Sequence, residues 1–254
     1  MTDYLTILEK IATETTARDA AAVDGAAEFP TATIDALGKA GLLGLMSHKD
    51  VGGMGLGVRE AAAVVERLAR VCGSSAMVVC MHYASTAVIE RFGAKSVREA
   101  IAAGKHLSTL AFSEAGSRSH FWAPTSTATK SGADVTLNAK KSWVTSANHA
   151  DSYVWSSKPV SAEGASTLWL VTRGSKGLAI PRPFNGLGLR GNDSTPITAE
   201  GVTVTETDRL GEDGKGFDAM MEVVLPHFNV MVAACSVGLM EGTIAATAAH
   251  VSGA

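Results

Sequence analysis

The sequence predicts an α+β chain in three parts: a helical domain over residues 1–106, a β domain over 107–215 and a returning helix over 216–254. Three observations carry this. Apolar residues recur at helical spacing as far as about Gly104. From Leu107 the period changes, with Thr, Val, Ser and Trp alternating in short runs punctuated by Gly, Pro, Asn and Asp. After Gly214-Lys215-Gly216 the helical pattern resumes and continues to the end of the sequence.

Each element has its own signal. Pro30 starts a helix with Ile34 and Leu37 facing inward, and Gly41 is placed to stop it. A second helix follows Gly57, with Ala61, Val64, Val65, Leu68 and Cys72 on one face and Arg59, Glu60, Glu66, Arg67 and Arg70 opposite, and Gly73 is the expected stop. A third, after Ser74 and Ser75, is apolar almost all round over Ala76 to Met81, as a helix buried between neighbours would be. Ser96 and Glu99 form a capping-box pattern opening a short helix. Strands are expected near 107–112, 125–130, 135–137, 153–157, 167–171 and 197–204, with turns at Ser131-Gly132 and Gly191-Asn192. Pro226 predicts a break or kink in the last helix.

Composition narrows the function. The 254 residues are 46% hydrophobic and 19% charged, and a net charge of -3 provides no field for a polyanion, so nucleic acid is not an expected partner. No basic-then-apolar leader opens the sequence, and the stretch from Ala76 to Ile89 is too short and too interrupted to span a bilayer. A cytosolic protein with no membrane partner is therefore expected. Cys72, Cys80 and Cys235 are odd in number and embedded in apolar helical segments, which fits reduced core thiols rather than disulfides or a zinc site. The seven histidines show no metal-ligand spacing. His82-Tyr83 lies on the buried helix and reads either as a satisfied core pair or as facing a ligand cavity.

The segment from Leu110 to Thr145 reads as an apolar strand, a small polar loop, a hairpin and a second strand ending in Trp-Val-Thr. It resembles the flavin-contacting strands of the acyl-CoA dehydrogenase family, whose pattern is an aromatic, two residues, Thr-Glu-Pro-Gly-Ala-Gly-Ser, and later Asn-Gly-Lys-Lys-x-Trp-Ile-Thr. Ser113, Glu114, Gly116, Ser119, Asn138, Lys140, Lys141, Trp143 and Thr145 fill the matching positions. Gly41-Leu42-Leu43-Gly44-Leu45, Gly52 to Gly57, Gly188-Leu189-Arg190-Gly191 and Leu210 to Phe217 extend the resemblance over essentially the whole chain.

The resemblance implies an N-terminal helical domain, a middle antiparallel β-barrel or sandwich, and the start of a C-terminal helical bundle. It implies FAD, with Leu110, Phe112, Ser113, Gly116, Ser119, Trp143, Val144 and Thr145 lining it, and substrate contacts at Ser119 and Asn229. A flat isoalloxazine needs hydrogen bonds at its pyrimidine edge and a nonpolar wall on its face, which hydroxyls and an indole supply. The bland alternative for Trp143 is an inward residue of a half-buried strand. Leu110 stands where the family often has an aromatic. Arg118 and His120 are unusual in that loop, and Arg118 is either a phosphate contact or solvated.

Family chemistry pairs removal of the proton alpha to a thioester by a carboxylate with passage of the beta hydride to flavin N5. Here Phe228 stands at one family position of that carboxylate, and Pro226 and Asn229 stand where the family has an Asp and an Arg three apart that engage the CoA-bearing substrate. Asn cannot reproduce the donor fork of a guanidinium. Glu222 and Glu241 read as surface carboxylates and His227 as a packed or capping residue, so no catalytic residue is identified. The leading expectation is an FAD-dependent oxidoreductase acting on the CH–CH group of an acyl-CoA or acyl-carrier thioester, with an electron-transfer flavoprotein as acceptor and its base outside the segment. A flavin-dependent monooxygenase of the same fold, or a noncatalytic partner subunit of a dehydrogenase heteromer, are the alternatives. In the family four helices follow the β domain and form the subunit contacts, whereas here only the first is expected. Its apolar surface over Met231 to Val251 calls for a partner, in a homo- or hetero-oligomer.

Overall fold

The computed structural model describes residues 4–118 and 120–253. In the helical domain α1 (Tyr4–Ile11) runs through a π turn (Ala12–Thr16) into α2 (Ala17–Gly25), followed by α3 (Thr31–Lys39), α4 (Val58–Ala69), α5 (Gly73–Phe92) and α6 (Lys95–Ala102). The α3 stop is where the sequence places it. Gly41 adopts φ +75°, and the N–H groups of Gly41 and Leu42 donate to the carbonyls of Gly38 (3.0 Å) and Leu37 (2.8 Å), a double closure that a left-handed residue permits.

Two expected caps fall elsewhere. Gly73 does not end α4, which stops at Ala69 with Arg70 as its cap, but opens α5. The Ser96/Glu99 pattern does not cap α6, because the cap falls two residues earlier, at Ala94, and Glu99 pairs instead with Lys95 at 3.4 Å. Helix α5 is buried from Ser74 to Glu90 along most of its length, in keeping with its apolar circumference. Cys72, Cys80 and Cys235 are free and buried.

The β domain has two sheets. One has the order β1 (Ser108–Ala111), β4 (Ser152–Ser157), β5 (Thr167–Thr172), and the other β2 (Thr127–Ser131), β3 (Asp134–Val144), β7 (Thr195–Thr205), β6 (Leu178–Ala179). All pairings are antiparallel except β1 with β4, which is parallel. Parallel neighbours need a long crossover, and here the β2–β3 hairpin provides it. The two-residue β6 has no sequence signal of its own. Strand β1 is buried on both faces: Leu110 joins the helical core, while Ala111 packs with Tyr153, Trp155 and Trp169 in the core between the sheets. Thus the end of β1 is clamped between two hydrophobic layers before the chain leaves it.

Polar contacts fix the β domain to the helices and brace its own loops. Arg190 donates from Nε to the Asp24 carbonyl (2.8 Å) and from a terminal nitrogen to that of Gly25 (3.4 Å), capping the C-terminal end of α2 with a cation. Asp213 accepts from the N–H groups of Val160, Ser161 and Ala162, each at 2.9 Å, and from the Thr167 hydroxyl at 2.6 Å. Burial pushes this carboxyl up, but the Thr167 hydroxyl and the three N–H groups outweigh it and hold the acid well below its ordinary range.

The last helix is continuous over Gly216–Ser252, through α7 (Gly216–Ala219), a π turn (Met220–Val224) and α8 (Leu225–Ser252). Pro226 therefore does not break it. The proline falls in the first turn after the π turn, where a missing N–H is tolerated because the backbone bonding is already rearranged. By length and composition this helix could cross a membrane, although the Ala76 to Ile89 stretch is the one the sequence brings forward. One face is docked on α4: a Cβ at Gly238 would lie 2.2 Å from the Glu66 carbonyl oxygen, and one at Gly242 2.3 Å from that of Arg70. The other face exposes Val230, Val237, Ile244 and Val251 at intervals of seven residues.

A carboxyl with a lowered folded pKa contributes stability that is complete above its ordinary value of ~4 and disappears as pH falls through the folded value. Asp213 meets this condition, so its contribution to the urea midpoint measured by circular dichroism, read as the difference between wild type and Asp213→Asn, should hold steady from pH 7 to 5 and be lost below about pH 4. The acid limb of the midpoint profile should accordingly be shallower in Asp213→Asn than in the wild type.

Candidate functional site

The site is built around an ion pair that the strand ends share. After β1 the chain turns through Phe112 and Ser113 to Glu114, which bridges to Lys141 on β3. The Ser142 N–H donates to the Ser113 carbonyl at 2.9 Å and the Ala115 N–H to the Lys140 carbonyl at 3.2 Å, so the β1 exit runs beside the last turns of β3. Both charged side chains are buried, with Lys141 Nζ 2.6 Å from Glu114 Oε1. Neither is left with an idle lone pair or proton. Lys141 also donates to the Ser156 carbonyl (2.7 Å) and hydroxyl (2.9 Å), and its ammonium stands 5.1 Å from the Trp155 ring centroid. Glu114 accepts from the N–H and hydroxyl of Thr125 and of Ser126 at 2.5–2.9 Å.

Burial pulls the Lys141 ammonium down to about 8 against the pull of Glu114, so it remains charged at neutral pH. Burial also acts to raise Glu114, but the adjacent ammonium and the Lys141, Ser126 and Thr125 hydrogen bonds outweigh it and hold the carboxyl below its usual range.

Immediately beyond Lys141 the pleat changes phase. From Val135 to Lys141 the odd-numbered residues of β3 are buried, which would put Trp143 inside. A register shift between Lys141 and Val144 inserts an irregularity, and Trp143 takes φ +57°. Its indole is turned outward and is 62% exposed, while Val144 takes the buried place. The reading of Trp143 as an inward strand residue is thereby excluded.

Trp143 opens onto an apolar cleft of about 130 Å³ between the strand ends and the helices. Leu110, Phe112 and Ser113 come from the β1 side, Ser142 and Trp143 from the bulge, and Met81, Phe121 and Phe228 close the opposite side. The Ser113 hydroxyl has no protein partner among the described residues. A half-buried hydroxyl at the rim and an exposed indole fit the polar edge and the flat face of an isoalloxazine. The volume is well below the ~300–1,000 Å³ of a full ligand pocket, so the cleft by itself does not enclose such a ring, and Trp143 and Ser113 are the residues that would hold it.

Of the residues predicted to line a flavin, Leu110, Phe112, Ser113 and Trp143 thus share one cleft. Val144 and Thr145 do not line it. The bulge sends Val144 into the inter-sheet core, and the Thr145 side chain is buried with its hydroxyl 3.4 Å from that of Ser194. Gly116 sits exposed at φ +93° in the turn after Glu114, away from the lining. Ser119 lies outside the described residues. Asn229 is exposed on α8 and does not line the cleft, because Phe228 is the side chain that the helix turns inward there. Arg118 is exposed at φ +52°.

The other candidates resolve into structural roles. His82 accepts from the Ser108 N–H (3.2 Å) at Nδ1, so its Nε2–H faces the Leu43 carbonyl (3.1 Å), and burial lowers it to about 4: it is a neutral core bridge. Tyr83 donates to the Leu42 carbonyl at 2.6 Å. Glu222 lies near Arg91 at 3.8 Å, Glu241 pairs with Arg70 at 2.6 Å, and His227 bonds the Val223 carbonyl in its own helix at 2.7 Å. A larger hollow of about 670 Å³ between α3 and residues 103–107 contains none of the predicted residues. Sequence reasoning missed Met81 and Phe121 as cleft residues. Phe121-Trp122, an aromatic pair within a polar loop, was a usable signal for the second of them.

Comparison with known proteins decides the family. Residues 5–104 match the acyl-CoA dehydrogenase N-terminal domain and residues 109–202 the acyl-CoA dehydrogenase middle domain. The chain belongs to the acyl-CoA dehydrogenase family. This acyl-CoA dehydrogenase family member is 25% identical to the short-chain specific acyl-CoA dehydrogenase of Clostridium acetobutylicum over 230 residues, 88% of this chain and 60% of that protein. It is 29% identical to the mitochondrial isovaleryl-CoA dehydrogenase of Oryza sativa subsp. japonica over 248 residues, 93% of this chain and 60% of that protein. The butyryl-CoA dehydrogenase structure from Megasphaera elsdenii superposes with a TM-score of 0.86 at 23% identity, over 96% of this chain and 68% of that one. The chain spans about 60% of the length of the curated relatives it matches.

Removing one member of a buried ion pair strands the other. Lys141→Met should therefore cost about 3–5 kcal/mol in urea unfolding, with Glu114→Gln costing less because its amide retains part of the hydrogen bonding. Equal, sub-kcal losses in both variants would show that the pair does not hold the strand ends.

Proposed function

We propose that this chain provides the flavin- and acyl-facing walls of a cytosolic FAD-dependent oxidoreductase acting on the CH–CH group of an acyl thioester. The observation that carries this reading is the bulge that turns Trp143 out of the core onto a cleft shared with the unpartnered Ser113 hydroxyl. A bound flavin supplies hydride acceptance at N5. The chain's own residues bind and shield: the indole gives the ring a nonpolar wall, Ser113 offers a hydrogen bond to its polar edge, and Met81, Phe121 and Phe228 form a water-excluding lining suited to an acyl chain. No Asp, Glu, His or Lys lines the cleft among the described residues, so alpha-proton removal is assigned to a group outside this segment. An electron-transfer flavoprotein as acceptor and an oligomer seated on the open face of α8 belong to the same reading.

The uncharged lining also favours a second reading, a flavin-dependent monooxygenase of this fold, since that chemistry needs neither a cleft carboxylate nor the Asp and Arg that Pro226 and Asn229 replace. Reconstitution with FAD separates the readings. The dehydrogenase reading expects flavin absorbance that survives gel filtration and bleaches with an acyl-CoA once the base-bearing segment is present. The monooxygenase expects oxygen uptake with externally reduced flavin and no acyl-CoA desaturation. A protein that stays colourless sinks both. Trp143→Ala should weaken FAD binding by about 1–3 kcal/mol, the scale of stacking a flat heterocycle on an aromatic side chain, as read by fluorescence titration.

A further inference from the structure

The Trp143 indole is not held by its own strand. A residue at φ +57° in a bulge has lost the cross-strand neighbours that normally fix a side chain, and the indole is largely solvent-exposed. Its one ring neighbour among the described residues is Phe184, with centroids 4.1 Å apart and planes inclined by 32°. Phe184 does not line the cleft, so it covers the indole from a side other than the one the cleft uses.

Phe184 is delivered by a stiff segment. Pro181 and Pro183 flank Arg182 just before it, and each proline locks its own φ and restrains the residue ahead of it. The Phe184 N–H donates to the Ser194 carbonyl at 2.9 Å, and the Ser194 hydroxyl lies 3.4 Å from that of Thr145. One residue, immediately before β7, thus anchors the backbone behind Phe184 and meets the side chain two positions beyond Trp143.

We propose that Phe184 is a positioning residue, acting through Trp143, that holds the indole in the orientation in which its uncovered side receives the isoalloxazine. The proposal rests on the flavin reading above. A ring docking on a held indole loses less rotamer freedom than one docking on a swinging indole, so the effect falls on affinity.

The test labels the protein with 5-fluorotryptophan and follows the 19F resonances of Trp122, Trp143, Trp155 and Trp169, with that of Trp143 assigned by its loss in Trp143→Phe. Without flavin, Phe184→Ala should move the Trp143 resonance toward its solvent-exposed position and leave the buried Trp155 and Trp169 unmoved, which also reports that the fold is intact. Phe184→Tyr, keeping the ring, should leave all four in place. In FAD titrations Phe184→Ala should bind about fivefold more weakly, as for loss of one aromatic pair, and Phe184→Tyr within about twofold of wild type. An unmoved Trp143 resonance in Phe184→Ala, or equal FAD affinity in that variant and wild type, overturns the positioning role while leaving the flavin reading standing. A wild-type chain that takes up no FAD overturns both, and is recognised because the wild-type titration itself is blank.

Discussion

Lys141 carries a full charge into the interior of the β domain, and much of the site's architecture answers that charge. Its partner Glu114 lies on the loop leaving β1, its other acceptors lie on β4, and Thr125 and Ser126, which complete the carboxylate's hydrogen bonding, precede β2. One ion pair therefore gathers the exit of β1, the end of β4, the approach to β2 and the end of β3. Such a pair stabilises little by itself against an apolar substitute, because desolvation consumes most of the Coulombic gain. Its value is specificity: any register in which Lys141 and Glu114 fail to meet leaves a bare charge in a core of tryptophans. The bulge begins at the next residue, so the ion pair fixes the point at which the strand goes out of phase.

Much of the fold was legible because its elements are locally consistent. Gly41 sits where a left-handed residue closes α3, the apolar circumference of α5 matches a helix buried over most of its turns, and the switch from helical to alternating patterning at Leu107 falls one residue before β1. The misplaced features depend on a neighbour. Ser96 carries a capping signature, but the helix starts earlier behind Ala94, and the Pro226 kink is absorbed by a π turn that no composition rule announces. The parallel pairing of β1 and β4 was also invisible, since local pattern carries no information on strand direction.

The site was legible in part, and the boundary is informative. Ser113 and Trp143 stand out as motif positions and do share a cleft, whereas Val144 and Thr145, adjacent in the same motif, are buried away from it. A motif reports which residues travel together along the chain. It does not report a one-residue change of phase between them. Phe121 and Phe184 reach the indole or its cleft from loops distant in sequence, where only the tertiary arrangement gives them a role.

The bulge at Ser142-Trp143 means that exposure of the indole is encoded as spacing rather than as residue type. An exchange of one side chain for another there alters what is presented to the cleft. With all residues kept and only the irregularity removed, a strict two-residue period running on from Lys141 would bring position 143 to the interior and Val144 to the surface, and the binding wall would vanish with every amino acid unchanged. The wall is accordingly a property of the phase in which the strand pairs at that point as much as of the tryptophan that stands there.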